Sequence, residues 1–397
     1  METPVFIAAV GAITAIGEGA DACLQSLAAE HSGISALEGL PSQLAGKFPV
    51  GEVKAASGTL AAKCGVNPAW PRTALLSAAA VEDCWAPFSA RLDSKRIGFF
   101  SANTVGGMDK TEGFYPAFLH DRAAGRKDDF RYHECGAVTQ LVARHFGFGA
   151  YTSTVSTACS SSANSIALAA QMIRAGMIDG AVAGGADALC RFTLNGFNSL
   201  GILDPEACRP MDASRHGLNL GEGAGYLLLM NEALLKESGA SPLATVSGWG
   251  NANDAYHQTA SSPDGRGNML AMKAALAKAS LLPGDISYIN LHGTGTENND
   301  ASEGKAVEQL FGSDVPPASS TKSFTGHTLG AAGGVEAVFS ALAIRDGLVY
   351  PNLRWSRQMP EVAFAPAVAL ERRPLKHVLS NSFGFGGACS SLIVSAC

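Results

Sequence analysis

The chain has little charge, no long apolar run and no paired cysteines, and each absence removes a class of protein. No stretch approaches the ~20 apolar residues that cross a bilayer, which excludes membrane insertion. The apolar stretch 5–10 follows Met1-Glu2-Thr3-Pro4 with no basic region before it, and Gly11 breaks it early, so it reads as a first strand and not a signal peptide. The nine cysteines are scattered, odd in number and without C-x-x-C spacing, which argues against a disulfide framework or a zinc site. No metal is expected, and free thiols fit a reducing compartment, so a soluble cytoplasmic protein is expected. A net charge of -6 without a dominant basic block argues against nucleic-acid binding.

Charged residues make up only 16% of the 397 positions, against 47% hydrophobic ones. So few charges cannot clothe a monomer of this size, and an oligomer is expected. The length calls for two domains or a fused pair of halves. Short apolar runs ending in glycine alternate with amphipathic segments, which is the pattern of an α/β protein with buried strands. A helix is predicted over 161–175, buried and closed by Gly176, followed by an interior strand at 180–185. Further strand-to-helix units are predicted around 286–311 and from Ser319 to Gly347. The polar stretch 236–242 divides the chain into halves 1–242 and 243–397.

Cys159 lies where a Thr-rich strand passes directly into the helix over 161–175. A thiol at a helix N-terminus meets unpaired N–H groups and the positive end of the dipole, which favours thiolate and nucleophilic use. His292 and His327 each stand at the border between a strand and a glycine-rich or helical segment, where α/β proteins hold reactive groups. Lys322 shortly precedes His327. Phe385 lies in Gly384-Phe385-Gly386-Gly387, whose glycines permit unusual backbone angles and close approach to a ligand.

Six segments occur in order: Thr157-Ala158-Cys159-Ser160-Ser161, Arg209-Pro210-Met211-Asp212, Gly221-Glu222-Gly223-Ala224-Gly225, His292-Gly293-Thr294-Gly295-Thr296, Lys322-Ser323-Phe324-Thr325-Gly326-His327, and Asn381-Ser382-Phe383-Gly384-Phe385-Gly386-Gly387. In these the chain resembles the β-ketoacyl-acyl-carrier-protein synthases of elongating type, condensing enzymes of the thiolase superfamily. The resemblance implies a duplicated five-layer α-β-α-β-α fold, a homodimer or a heterodimer with a related chain-length factor, and an acyl carrier protein as partner. No cofactor of the enzyme's own is implied, because phosphopantetheine arrives on the carrier.

The resemblance also assigns roles. Cys159 would carry the acyl chain, and His292 and His327 would assist decarboxylation of a malonyl thioester. Lys322 would set the site's electrostatics and hold an acid, for which Glu303 is the expected partner. The backbone N–H groups of Cys159 and Phe385 would form an oxyanion hole, with the Phe385 ring gating an acyl pocket lined by Val105 and Phe197. Thr294 and Thr296 would bind the pantetheine arm, while Arg126, Lys127 and Arg209 would meet the acidic carrier protein.

Three departures from the family pattern point to a specialised branch, in pigment or polyketide synthesis, more than to housekeeping fatty-acid synthesis. Ala388-Cys389 stands where many relatives have Thr-Asn, Arg215-His216 replaces Arg-Asp, and Glu297 replaces a common Pro. Rival readings fit less well. A noncatalytic chain-length factor would lack the nucleophile, a thiolase uses a second Cys as base, and a cysteine hydrolase gives the Phe-bearing turn no role.

Overall fold

In a computed structural model, which describes residues 3–397, alternate residues of central strands serve different cores. On the strand Gly223–Met230, Leu227 and Leu229 enter one apolar cluster while Leu228 and Met230 enter another. Both faces of the sheet are therefore covered, and the strand reads as an unbroken apolar run.

The main sheet has eleven strands. Apart from Gly17–Glu18, which pairs only with its neighbour, they form two sets of five. The first set is β1 (Phe6–Thr14), β2 (Ile97–Ala102), β3 (Thr152–Val155), β4 (Gly180–Asp187) and β5 (Gly223–Met230). The second is β6 (Ala244–Asn253), β7 (Tyr288–Asn290), β8 (Ala318–Ser319), β9 (His377–Gly384) and β10 (Ala388–Ser395). The spatial order is β3-β2-β4-β5-β1-β6-β10-β9-β7-β8. Each strand of the first set has a counterpart in the second with the same parallel or antiparallel neighbours. The fold is duplicated, and the halves meet through a short pairing of β1 with β6.

Helices complete five layers. α1 (Arg72–Trp85), α2 (Cys135–Phe146) and the short α4 (Glu232–Ser238) cover one outer face, and α5 (Arg266–Ala279) and α6 (Glu297–Phe311) cover the other. Between the half-sheets lie α3 (Ser161–Arg174) and α7 (Ala332–Asp346). α7 is buried on all sides from Ala332 to Ala343, as a helix without a polar face must be, and Gly347 in left-handed conformation ends it. α3 departs from the expectation of complete burial, because Leu168 faces outward. Among the described residues no helix is long and apolar enough to cross a membrane. Because the repeat sets equivalent strand ends side by side, the loops after β3, β7 and β8 converge.

Candidate active site

β3 ends at Val155, and the chain turns through Ala158, which has a left-handed φ of 53°, to reach α3. Ser161 fastens this turn, accepting from the Thr157 N–H at 2.7 Å and donating to the Ala158 carbonyl at 2.5 Å. Cys159 is held just ahead of the helix and is buried. Against it comes the turn after β9. A side chain at Gly384 would put a Cβ 2.9 Å from the Cys159 nitrogen, so only glycine allows this approach. The backbone N–H groups of Phe385 and of Cys159 itself both reach the sulfur.

The structure brings both histidines to the same point. His327 Nε2 lies 3.0 Å from Cys159 Sγ, and the His292 and His327 rings stand edge to face at 5.2 Å. The Leu329 N–H donates to His327 Nδ1 at 3.2 Å. Lys322 Nζ lies 3.2 Å from His292 Nδ1. An ammonium and an amide N–H can only donate, so each Nδ1 must accept. Both rings are thereby assigned the tautomer with its proton on Nε2. Burial and the positive Lys322 hold both imidazoles well below their usual pKa, with His327 adding to the effect on His292, so both are neutral donors.

Two expectations need correction. Lys322 does not pair with Glu303; it bonds Glu336, the one acid within the buried stretch 332–343 of α7, and both side chains are almost wholly buried. Glu303 instead accepts from the N–H groups of His292 at 2.8 Å and Gly293 at 2.7 Å, and from the Asn381 amide at 3.1 Å. It fixes the backbone of the His292 loop. Nor is Cys159 a resting thiolate. Burial pushes its thiol up to about 11, outweighing the lowering by Lys322 and by the two N–H groups.

A cavity of about 430 Å³ opens onto the trio, within the usual range for small-molecule sites. Phe197, Thr294, Thr296 and Phe385 line it, and the Phe197 and Phe385 rings stack at 5.7 Å. The hydroxyls of Thr294 and Thr296 lie 2.9 Å apart. Val105 is not on the wall; it is buried behind it, in an apolar cluster with Leu218 and the flanking Phe197. All three departures from the family pattern do reach the cavity, as Cys389, His216 and Glu297. The buried Arg215 holds the Glu297 carbonyl at 3.0 Å. Arg126 and Lys127 are exposed, whereas Arg209 is engaged by Glu206.

Cysteine spacing gives no sign of a metal site, yet the ligand atoms of Cys159, His292 and His327 lie within 4.8 Å of one another. With protons on both Nε2 atoms and on the thiol, the three groups stand as hydrogen-bond donors and not as metal ligands. Sequence reasoning missed Glu336, whose one signal was a carboxylate set within the apolar run 332–343.

A buried thiol beside two neutral imidazole donors and two converging backbone N–H groups is a centre for acyl transfer, not for hydride or phosphoryl chemistry. Comparison with known proteins agrees. Residues 2–234 match the beta-ketoacyl synthase N-terminal domain and residues 243–356 the C-terminal domain, so the chain belongs to the beta-ketoacyl synthase family. It is a condensing enzyme of the thiolase-like fold.

Among its relatives is the 3-oxoacyl-[acyl-carrier-protein] synthase 2 of Rhizobium meliloti (strain 1021), 38% identical over 90% of this chain and 89% of that protein. The Staphylococcus aureus (strain COL) protein of the same name is 35% identical over 75% of this chain and 74% of its own. Similar solved structures include the ishigamide ketosynthase/chain length factor, with TM-score 0.92 and 27% identity over all of both chains. Another is the ketosynthase ApeO in complex with its chain length factor ApeC from Xenorhabdus doucetiae, with TM-score 0.85 and 33% identity over 100% of this chain and 98% of that one.

Proposed function

We propose that this protein joins an acyl group held on Cys159 to the two-carbon unit of a malonyl group carried by acyl carrier protein, releasing CO2 and a 3-ketoacyl carrier. The observation that carries this reading is the pair of neutral Nε2–H imidazoles beside the buried thiol.

In the first half-reaction the Cys159 sulfur attacks the carrier's acyl thioester, and the thiol proton ends on the departing pantetheine sulfur. In the second, the bond from the malonyl carboxylate to its neighbouring carbon breaks, CO2 leaves, and the electron pair forms an enolate. Its oxygen accepts hydrogen bonds from His292 and His327. Neutral donors suit this step, since they stabilise the developing charge without first giving up a proton; one such donor is typically worth ~3 kcal/mol. The enolate carbon then attacks the Cys159 thioester. Charge on that carbonyl oxygen falls to the N–H groups of Cys159 and Phe385, and collapse returns the Cys159 thiolate, which takes up a proton.

The pantetheine arm is read as lying along Thr294 and Thr296, with Arg126, Lys127 and Arg209 contributing to carrier docking. Phe197 and Phe385 face the acyl chain. The polar substitutions at the cavity, His216 and Glu297, together with Cys389, support service in a specialised polyketide or pigment pathway. A heterodimer with a chain-length factor is a second reading, favoured by the solved complexes of relatives. β3 is an edge strand, and Tyr151 and Leu168 are exposed apolar side chains.

Release of labelled CO2 from malonyl carrier tests the division of labour. Release should vanish in His292→Ala and His327→Ala and persist, uncoupled from condensation, in Cys159→Gln. No release by the intact protein would overturn the proposal.

A further inference from the structure

Asp187 ends β4 with no accessible surface, and among the described residues no cation pairs with it. A buried carboxylate without a counter-ion is expensive, so the groups that hold it are informative. Oδ1 accepts from the backbone N–H groups of Thr104 at 2.9 Å and Val105 at 3.1 Å. Oδ2 accepts from the Thr104 hydroxyl at 2.7 Å and the Gly330 N–H at 2.7 Å.

These bonds run in two directions. On one side, Val105 packs in the cluster that contains Leu218 and is flanked by Phe197 and Ile202, all three of which form cavity wall. On the other, Gly330 adjoins Leu329, whose N–H fixes the His327 tautomer and whose side chain sits in the same cluster. The Gly330 carbonyl also accepts from Ser162 at 2.6 Å, on the helix that Cys159 leads into. There is no slack, since a Cβ on Gly330 would stand 2.7 Å from Asp187 Oδ2 and 2.8 Å from the Thr104 methyl. Burial lifts the Asp187 carboxyl to about 6, and the N–H and O–H donors oppose that rise, which fits a group retained as an acceptor for several donors at once.

We infer that Asp187 is a positioning residue that ties the wall behind the acyl cavity to the His327 turn, so that the fit of the acyl chain is transmitted to the histidine. This rests on the proposed function, and it adds a source of chain-length discrimination that touches no substrate. Replacement by Asn keeps the shape but sets an NH2 against an N–H, so one of the two directions must let go.

The test is kcat/KM for condensation across a series of acyl carriers, with KM for malonyl carrier measured alongside. In Asp187→Asn the ratio between the best and poorest chain lengths should shrink by about fivefold or more, with KM for malonyl carrier unchanged. Thr104→Val deletes one bond only and should shrink the ratio less, in the same direction; it decides the matter if the Asn variant does not fold. A ratio unchanged in both variants, or an equal fall at every chain length, would overturn the inference. If instead the wild-type protein condensed nothing, the proposed function would fail first.

Discussion

Removing the acid of the Lys322–Glu336 pair should separate stability from catalysis. Their side chains are 2% and 3% exposed, so Glu336→Gln strands an ammonium away from water. Breaking a buried pair from one side costs about 3–5 kcal/mol. The double variant Lys322→Met/Glu336→Leu removes both charges and should recover most of that loss, because apolar replacement of a whole buried pair is often neutral or stabilising. Activity should not follow. Without the Lys322 donor 3.2 Å from its Nδ1, the His292 ring is free to move its proton off Nε2. Losing one preorganised donor costs ~3 kcal/mol, on the order of 10²-fold in CO2 release. Urea denaturation and CO2 release from malonyl carrier read the two effects separately. A double variant that decarboxylates at the parent's rate, or a Gln variant as stable as the parent, would refute the reasoning.

Two further outcomes follow from the site. Phe197→Ala removes the ring stacked on Phe385 and should shift the preferred acyl chain toward bulkier groups by about tenfold in kcat/KM; an unchanged preference in competition assays would count against an acyl-facing Phe197. Burial raises the Glu303 carboxyl from 4.5 to about 7, so the fold holds a proton that the unfolded chain has already released across that window. This group's contribution therefore makes stability fall as pH rises from about 4.5 to about 7 and level off above. Glu303→Gln should flatten that segment of the denaturation-midpoint profile, and an equal slope in both proteins would contradict it.

The three reacting groups were legible in the sequence because each sits where a strand gives way to a glycine-rich or helical segment. Their mutual geometry was not, since it depends on how a repeated five-strand unit turns on its copy. The partner of Lys322 shows the difficulty. Glu303 and Glu336 are both buried helix residues near Lys322 in sequence, and only the packing of α7 between the half-sheets selects Glu336. Cys159 shows another limit. Its place ahead of α3 signalled a nucleophile, but burial outweighs Lys322 and the backbone N–H groups of Phe385 and Cys159 and holds the thiol's pKa up. Val105 fell one layer behind its expected place, because residues forming a wall and residues backing it have the same apolar character.

The most direct test is the intact mass of the protein after incubation with an acyl carrier, followed by addition of malonyl carrier. The account predicts one acyl adduct, on Cys159 and absent in Cys159→Ala, that discharges on the second addition as 3-ketoacyl carrier with one CO2 per adduct lost. An adduct on another residue, or one released only as free acid, would contradict it.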